Sequence, residues 1–155
     1  MRELTPVGVA ETICNATAIR KASRRMTALY DAALEPCGLR STQYAILNEL
    51  QRRGARAPTM RELALTLVMD RSALGHNVRP LERDGLVALE AGAADRRRRH
   101  VVITSAGKAK WRTAQRLWQS AQDRFETIFG PENAAALRRS LTAIAADERL
   151  ISLTD

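Results

Sequence analysis

The amino-acid sequence predicts a mainly α-helical fold of the α+β type, with six helices and one small β-hairpin. Three observations support this prediction. Apolar residues recur at three- and four-residue steps along most of the chain, which is the pattern of helices with one buried face. Two short runs of β-forming residues, 86–90 and 100–103, flank a polar segment that contains glycine, as in a hairpin. With 155 residues, 45% of them hydrophobic, the chain can build one core but not two large ones.

The first helix is expected to cover residues 8–35, and Pro36 and Gly38 are expected to end it. Ser41 is placed to cap the second helix, because a hydroxyl can accept a hydrogen bond from a free backbone N–H. The apolar positions of the first helix are Val9, Ile13, Ala16, Ile19, Ala22, Met26, Leu29 and Ala33. Those of the second helix are Tyr44, Leu47 and Leu50, and its end is Arg52-Arg53-Gly54.

Two short helices follow, each with its own capping residue. Thr59 and Glu62 form a capping box, which predicts a helix through Val68. Asp70 caps the next helix, which runs to Asp84 and ends at a glycine.

After the hairpin, Thr104 or Ser105 caps a long helix, and Gly130-Pro131 separates it from a last helix over about 132–150. The first and last helices are too long and too apolar on one face to be covered by the central unit, so we expect a second copy of the chain to bury them. The predicted organisation is an N-terminal dimerisation helix over 1–35, a central unit over 36–104 and C-terminal dimerisation helices over 105–155.

Composition restricts the partners. The net charge of +8 favours a polyanion, and only 4% of residues are aromatic, which is few for a protein that stacks on single-stranded bases. No apolar run approaches the roughly 20 residues that span a bilayer, and no signal-peptide pattern follows Met1, so we expect a cytoplasmic protein that does not bind membranes. Cys14 and Cys37 are then expected to be reduced thiols.

The two short central helices have the spacing of a helix-turn-helix. Ala64 is small enough for close helix contact, Val68 lies in the turn, and Leu74 and Val78 fix the second helix to the core. Small and polar residues on the early face of that helix fit the major groove of DNA, where polar side chains reach base edges. The candidate DNA-reading residues are Ser72, Ala73, Gly75, His76, Asn77 and Arg79.

Four adjacent arginines lie at the predicted hairpin tip, directly after Asp95. Their mutual repulsion is tolerable in water or against phosphate, and the negative potential of the minor groove suits them. A solvated charged loop is the alternative, which the upstream helix pair disfavours. The candidate DNA-binding residues of the tip are Asp95, Arg96, Arg97, Arg98 and Arg99.

The chain resembles the MarR family of bacterial transcription regulators from about residue 20 to residue 130. The matching stretches are Pro58–Ala64, Met69–Leu74, Asn77–Val87, Asp95–Arg97 and Val102–Gly107, with Gly38–Tyr44 upstream. The resemblance implies a winged helix-turn-helix fold, a homodimer built by the terminal helices, and recognition helices in successive major grooves of a palindrome. It also implies that Arg97, two residues after the aspartate, enters the minor groove.

In many members of the family a small aromatic or phenolic acid releases the DNA, and a subset senses oxidants through a cysteine in the first helix. Candidate ligand-pocket residues are Met26, Tyr30, Tyr44 and Trp111, with an ordinary core role as the alternative. Cys14 is the candidate redox residue, with a buried inert thiol as the alternative. The peroxide-sensing branch has its cysteine about two residues later, where this chain has Ala16, and one supporting tyrosine is Ser41 here.

The sequence contains no recognisable motif for catalysis or for metal binding. His76 and His100 are the only histidines and have no third ligand nearby, and no Ser-His-Asp or Cys-His spacing occurs. We therefore expect no enzyme, metal or cofactor. The predicted function is a transcription regulator that acts as a dimeric repressor. A small aromatic or phenolic ligand is expected to release it from a palindromic operator in duplex DNA. The alternatives are a thiol switch and a helix-turn-helix module for protein assembly.

Overall fold

The computed structural model describes residues 12–92 and 98–150. Within these ranges the chain forms six α-helices and two antiparallel strands. The elements in chain order are α1 (Asn15–Leu34), α2 (Ser41–Arg53), α3 (Met60–Thr66), α4 (Arg71–Arg83), β1 (Val87–Ala91), β2 (Arg99–Ile103), α5 (Ser105–Phe129) and α6 (Pro131–Ala146), with 3-10 turns at Glu35–Cys37 and Glu148–Leu150. The predicted fold class and element order are confirmed.

The helix boundaries differ from the prediction at both ends of the chain. The predicted first four residues of α1, 8–11, lie outside the described residues, and residues 12–14 are not helical. The N–H of Cys14 donates to the Thr12 hydroxyl at 3.1 Å, a local turn that competes with the helix. At the other end, Asp147 has an extended backbone (φ −86°, ψ 100°), so α6 ends at Ala146 instead of continuing to residue 150.

Ser41 does not cap α2. The cap position belongs to Arg40, whose N–H donates to the Gln43 side chain at 3.0 Å. Ser41 is the first helical residue, and its N–H donates to the Asp31 carboxylate at 2.7 Å. An acceptor for a free N–H at the start of α2 therefore comes from Asp31 in the last turn of α1, and not from the hydroxyl of Ser41 as expected.

The other three caps are confirmed. Glu62 and Thr59 satisfy each other's backbone N–H groups, at 2.7 and 3.2 Å. The carboxylate of Asp70 accepts from Ala73, and the Thr104 hydroxyl accepts from Gly107.

The turn between α3 and α4 has an unusual backbone. Val68, predicted as the end of α3, has φ +51°, and α3 ends earlier, at Thr66. A β-branched side chain in the left-handed region is strained by about 1–2 kcal/mol. The side chain is exposed, so burial of this residue does not compensate the strain.

The core lies where α2, α3, α4 and the hairpin meet. Leu47, Leu63, Leu74 and Val101 are fully buried there, and Ala64 is 7% exposed, as its predicted helix contact requires. The larger buried set also includes Leu34, Leu39, Tyr44, Ile46, Leu50, Val78, Leu81, Leu86, Val87 and Ile103.

The hairpin pairs Val87 with Ile103 and Ala91 with Arg99. It is joined to the start of α3, because the N–H of Val101 donates to the Pro58 carbonyl at 2.8 Å and Thr59 bridges to His100. The wing and the helix pair are thus one connected unit.

The long helix α5 packs against α1 and α6, and small residues of α5 and α6 are buried. Ala114 and Ala121 on α5 and Ala134 on α6 are buried. The large apolar residues of α6 are partly open on the protomer, as expected for a face that the central unit does not cover. Exposed large apolar residues of the long helices are Ile19, Ile128, Phe129, Leu137, Leu141 and Ile144. Across the described ranges, no helix is long and apolar enough to cross a membrane.

Candidate nucleic-acid interface

Helix α4 has two opposite faces. Leu74, Val78 and Leu81 lie on one face and are at most 2% exposed, which fixes the rotation of the helix on the core. Ser72, His76 and Arg79 are exposed and recur at steps of four and three residues, so they form one stripe on the other face. A helix held in this way presents its polar stripe outward, where hydrogen-bond donors can reach a groove.

The other predicted residues of α4 flank this stripe. Ala73 and Gly75 are half-buried, and their small size lets another backbone come close. Asn77 is also half-buried, and its amide donates to the Ala73 carbonyl at 2.9 Å. That donor is therefore used within the helix.

Arg83 extends the polar stripe and was missed by the sequence reasoning. It is exposed, lies four residues after Arg79, and forms an ion pair with Asp84 at 3.1 Å. The four-residue step from Arg79 was the signal that could have found it.

The hairpin tip is described only at its base. Arg99, predicted in the tip, is the first residue of β2, and its guanidinium donates to the Leu89 carbonyl at 3.4 Å. Arg98 is exposed, and its carbonyl accepts from Gly92 at 2.9 Å. The predicted site residues Asp95, Arg96 and Arg97 lie outside the described residues.

His100 has a structural contact at the base of the wing. Its Nδ1 lies 3.0 Å from the Ala57 carbonyl, which makes Nδ1–H the donor. This bond holds β2 to the segment that leads into α3. No group of three metal-ligating side chains occurs in the parts of the chain that the structure describes.

An aromatic cluster joins α1, α2 and α5. The ring of Trp118 stacks with Tyr30 and Tyr44, with centroids 6.2 and 5.9 Å apart. Burial raises the pKa of both tyrosines. The Tyr30 hydroxyl donates to Gln122 at 2.5 Å.

Two of the four predicted pocket residues, Tyr30 and Tyr44, therefore stack on the same ring, which is that of Trp118 instead of Trp111. Trp111 lies seven residues earlier on the same helix and donates to the Asn48 side chain at 3.1 Å. Met26 is half-buried on α1. Equal helical spacing placed both tryptophans on one stripe, and only the packing of α1 and α2 decides which one stacks.

The two thiols differ in environment. Cys14 is exposed at the N-terminus of α1, so the alternative of a buried thiol does not hold for the protomer. A hydrogen bond with the Thr17 side chain lowers the pKa of this thiol. Cys37 is half-buried and donates to the Leu34 carbonyl.

Comparison with known protein families and solved structures identifies proteins that are similar to this chain. A sequence model described as the MarR family matches residues 38–98. The M. tuberculosis transcriptional regulator MosR, solved in complex with DNA, has 30% sequence identity to this chain. The superposition covers 85% of this chain and 94% of MosR, with a TM-score of 0.72. The transcriptional repressor CouR bound to a 23-mer DNA duplex is 26% identical, with coverages of 85% and 92% and a TM-score of 0.77.

CouR from Rhodococcus jostii RHA1 bound to p-coumaroyl-CoA shares the fold, at 23% identity, coverages of 96% and 100%, and a TM-score of 0.74. No curated protein sequence matches the chain. The matched stretch includes the whole helix pair and the start of the wing, and the 30% identity to MosR extends over most of both chains. The chain therefore belongs to the MarR family of DNA-binding transcription regulators with a winged helix-turn-helix fold.

Proposed function

We propose that the protein is a dimeric repressor that binds a pseudo-palindromic operator and is released by a small aromatic or phenolic ligand. The observation that carries the proposal is the exposed stripe of Ser72, His76 and Arg79 on α4, opposite a fully buried face. A major groove about 12 Å wide admits such a helix, and these side chains can donate to bases or phosphates. Two similar proteins are bound to DNA in their solved structures.

The dimer is supported by the apolar residues that the protomer leaves open on its long helices. Leu137, Leu141 and Ile144 recur along α6 at steps of four and three residues, and each is at least 37% exposed. A second copy would bury this stripe, with residues 1–35 and 105–155 as the dimerisation segments and 36–104 as the DNA-reading unit. Such a regulator would act on its operator in the cytoplasm.

Arg97 is proposed to enter the minor groove next to the recognition helix. Arg97→Ala is expected to weaken binding to a duplex selected by the wild type by about 1–3 kcal/mol. Fluorescence-anisotropy titration measures this loss. Arg124→Ala, which removes an equal charge from an exposed position on α5, is the matched control. Equal affinities of wild type and Arg97→Ala would contradict the assignment.

The aromatic cluster is the proposed effector site. It joins α2 of the reading head to the long helices α1 and α5, so an aromatic acid that inserts against Trp118 would separate these elements and move the head. Trp118→Leu is expected to weaken the binding of salicylate about tenfold, since an aromatic pair contributes roughly 0.5–1.5 kcal/mol.

Isothermal titration measures this difference, and Trp111→Leu, two turns away on α5, is the control. Loss of binding in the control alone would place the ligand at Trp111. Undiminished binding in Trp118→Leu would rule out this cluster as the site.

Oxidant sensing by Cys14 is the second candidate, favoured by the exposed thiol with a lowered pKa. Hydrogen peroxide would take two electrons and two protons from the Cys14 thiols of two protomers, giving an intersubunit disulfide and water. We expect a disulfide dimer on a non-reducing gel and weaker DNA binding, and neither in Cys14→Ser. Unchanged DNA affinity without a disulfide would exclude the switch.

A further inference from the structure

The carboxylate of Glu49 on α2 is a buried charge away from the DNA-reading stripe. The residue is 7% exposed, and Arg52 and Arg53 both donate to it. The two hydrogen bonds from Arg52, followed by the one from Arg53, hold the pKa of Glu49 below the usual value. A buried carboxylate is costly unless it is fully paired, so both arginines contribute to keeping it in the core.

The two arginines differ in what else they contact. Arg52 donates to Glu49 at 2.9 and 2.8 Å, and among the described residues it reaches nothing on α3. Arg53 donates through Nε to Glu49 at 2.6 Å and through Nη2 to the Thr66 hydroxyl on α3, also at 2.6 Å. A planar guanidinium can bind two partners in one fixed geometry, which an ammonium cannot.

Thr66 is the last residue of α3 and lies two residues before the strained turn at Val68. Its hydroxyl also donates to the Glu62 carbonyl at 2.9 Å, so the side chain is held by the helix that it closes. The remaining contacts of α3 are mainly with α4 and β2. The Glu49–Arg53–Thr66 bridge therefore ties the end of α3 to α2 just before the chain turns into α4.

We propose that Arg53 is a positioning residue for DNA reading, which acts through Thr66 to fix the angle at which α4 enters the major groove. The inference rests on the proposed function. Misplaced base-reading groups lose operator contacts, whereas phosphate contacts tolerate a small rotation of the helix. The bridge should thus raise specific affinity and leave non-specific affinity unchanged.

The test compares variants on a duplex selected by the wild type from random DNA and on a shuffled duplex of equal composition. Thr66→Val removes the hydroxyl at an exposed position and leaves the Glu49 pairs intact, so the protein should fold. Arg53→Lys keeps the charge next to Glu49 but cannot hold both partners. Both variants are expected to lower the affinity for the selected duplex about tenfold, with unchanged affinity for the shuffled duplex and an unchanged salt slope. The double variant should lose no more than either single variant.

Arg52→Lys is the matched control, because it perturbs the same carboxylate without touching α3, and it should bind both duplexes as the wild type does. An unchanged ratio of the two affinities in Thr66→Val would overturn the proposal. A lower salt slope in Arg53→Met, by about one unit, would also overturn it, because Arg53 would then contact a phosphate directly. If the wild type selected no duplex at all, the proposed function itself would fail, which is a distinct result.

Discussion

Raising the salt concentration from about 50 to 200 mM is expected to weaken the binding of duplex DNA by about 10³- to 10⁵-fold, the range for a protein that neutralises six to ten phosphates. The chain has a net charge of +8, and a dimer presents two copies of the basic reading head. Arg79 and Arg83 lie on the exposed stripe of α4, and Arg98 and Arg99 lie at the base of the wing. Each arginine placed on a phosphate releases condensed counterions, so the affinity for DNA rises as the salt concentration falls.

The measurement is the slope of the logarithm of the affinity against the logarithm of the salt concentration, taken on the selected duplex and on the shuffled duplex. Both slopes should be steep, since phosphate contacts occur on any sequence, while base contacts separate the two affinities. An affinity that does not change with salt concentration, together with no shift of DNA in a gel, would favour the alternative function, a helix-turn-helix module used for protein assembly.

Gly107→Ala is expected to destabilise the protein by about 3 kcal/mol, at the upper end for overpacking. Gly107 lies in the first turn of α5, where a Cβ atom would overlap the Leu86 carbonyl oxygen and lie 2.9 Å from a side-chain carbon of Ile103. The Leu86 carbonyl cannot withdraw cheaply, because it accepts a hydrogen bond from the N–H of Thr104 at 3.1 Å. The backbone of the hairpin and the start of α5 would have to separate.

Urea unfolding measures this loss of stability. Gly75→Ala is the matched control, since a Cβ on this α4 residue meets nothing within 4 Å. Alanine should instead stabilise the helix there by about 0.5–1 kcal/mol. Equal midpoints for Gly107→Ala and the wild type would show that the contact between α5 and the hairpin is looser than described.

The parts of the fold that were predicted correctly depend on short-range chemistry. Thr59 with Glu62, Asp70 and Thr104 each satisfy backbone N–H groups within three residues, so their role is readable from the sequence alone. The hairpin was also found, although its first strand begins at Val87, one residue later than expected. Residues that recur at helical spacing on α4 gave the buried and exposed faces correctly for the same reason.

The errors come from contacts between elements distant in the chain. Ser41 looked like a local cap, but Asp31, ten residues earlier, supplies the acceptor for its N–H. Trp111 and Trp118 have equivalent positions on α5, and the packing of α1 and α2 selects Trp118 for the cluster. Likewise, the sequence shows Arg52 and Arg53 only as two adjacent basic residues at the end of α2. The hydrogen bond that Arg53 donates to Thr66 distinguishes them, and it depends on where α3 packs. Periodicity defines a face but not the partner that covers it.

The arrangement of the two tryptophans has a spectroscopic consequence. Trp111 and Trp118 are the only tryptophans of the chain, and both lie on α5 with their rings bound or stacked to residues of α2. The intrinsic fluorescence of the protein therefore originates entirely at the junction between the long helix and the reading head. A displacement of α2 along α5 changes the surroundings of both indoles, so an emission spectrum follows the motion of the head without an attached dye.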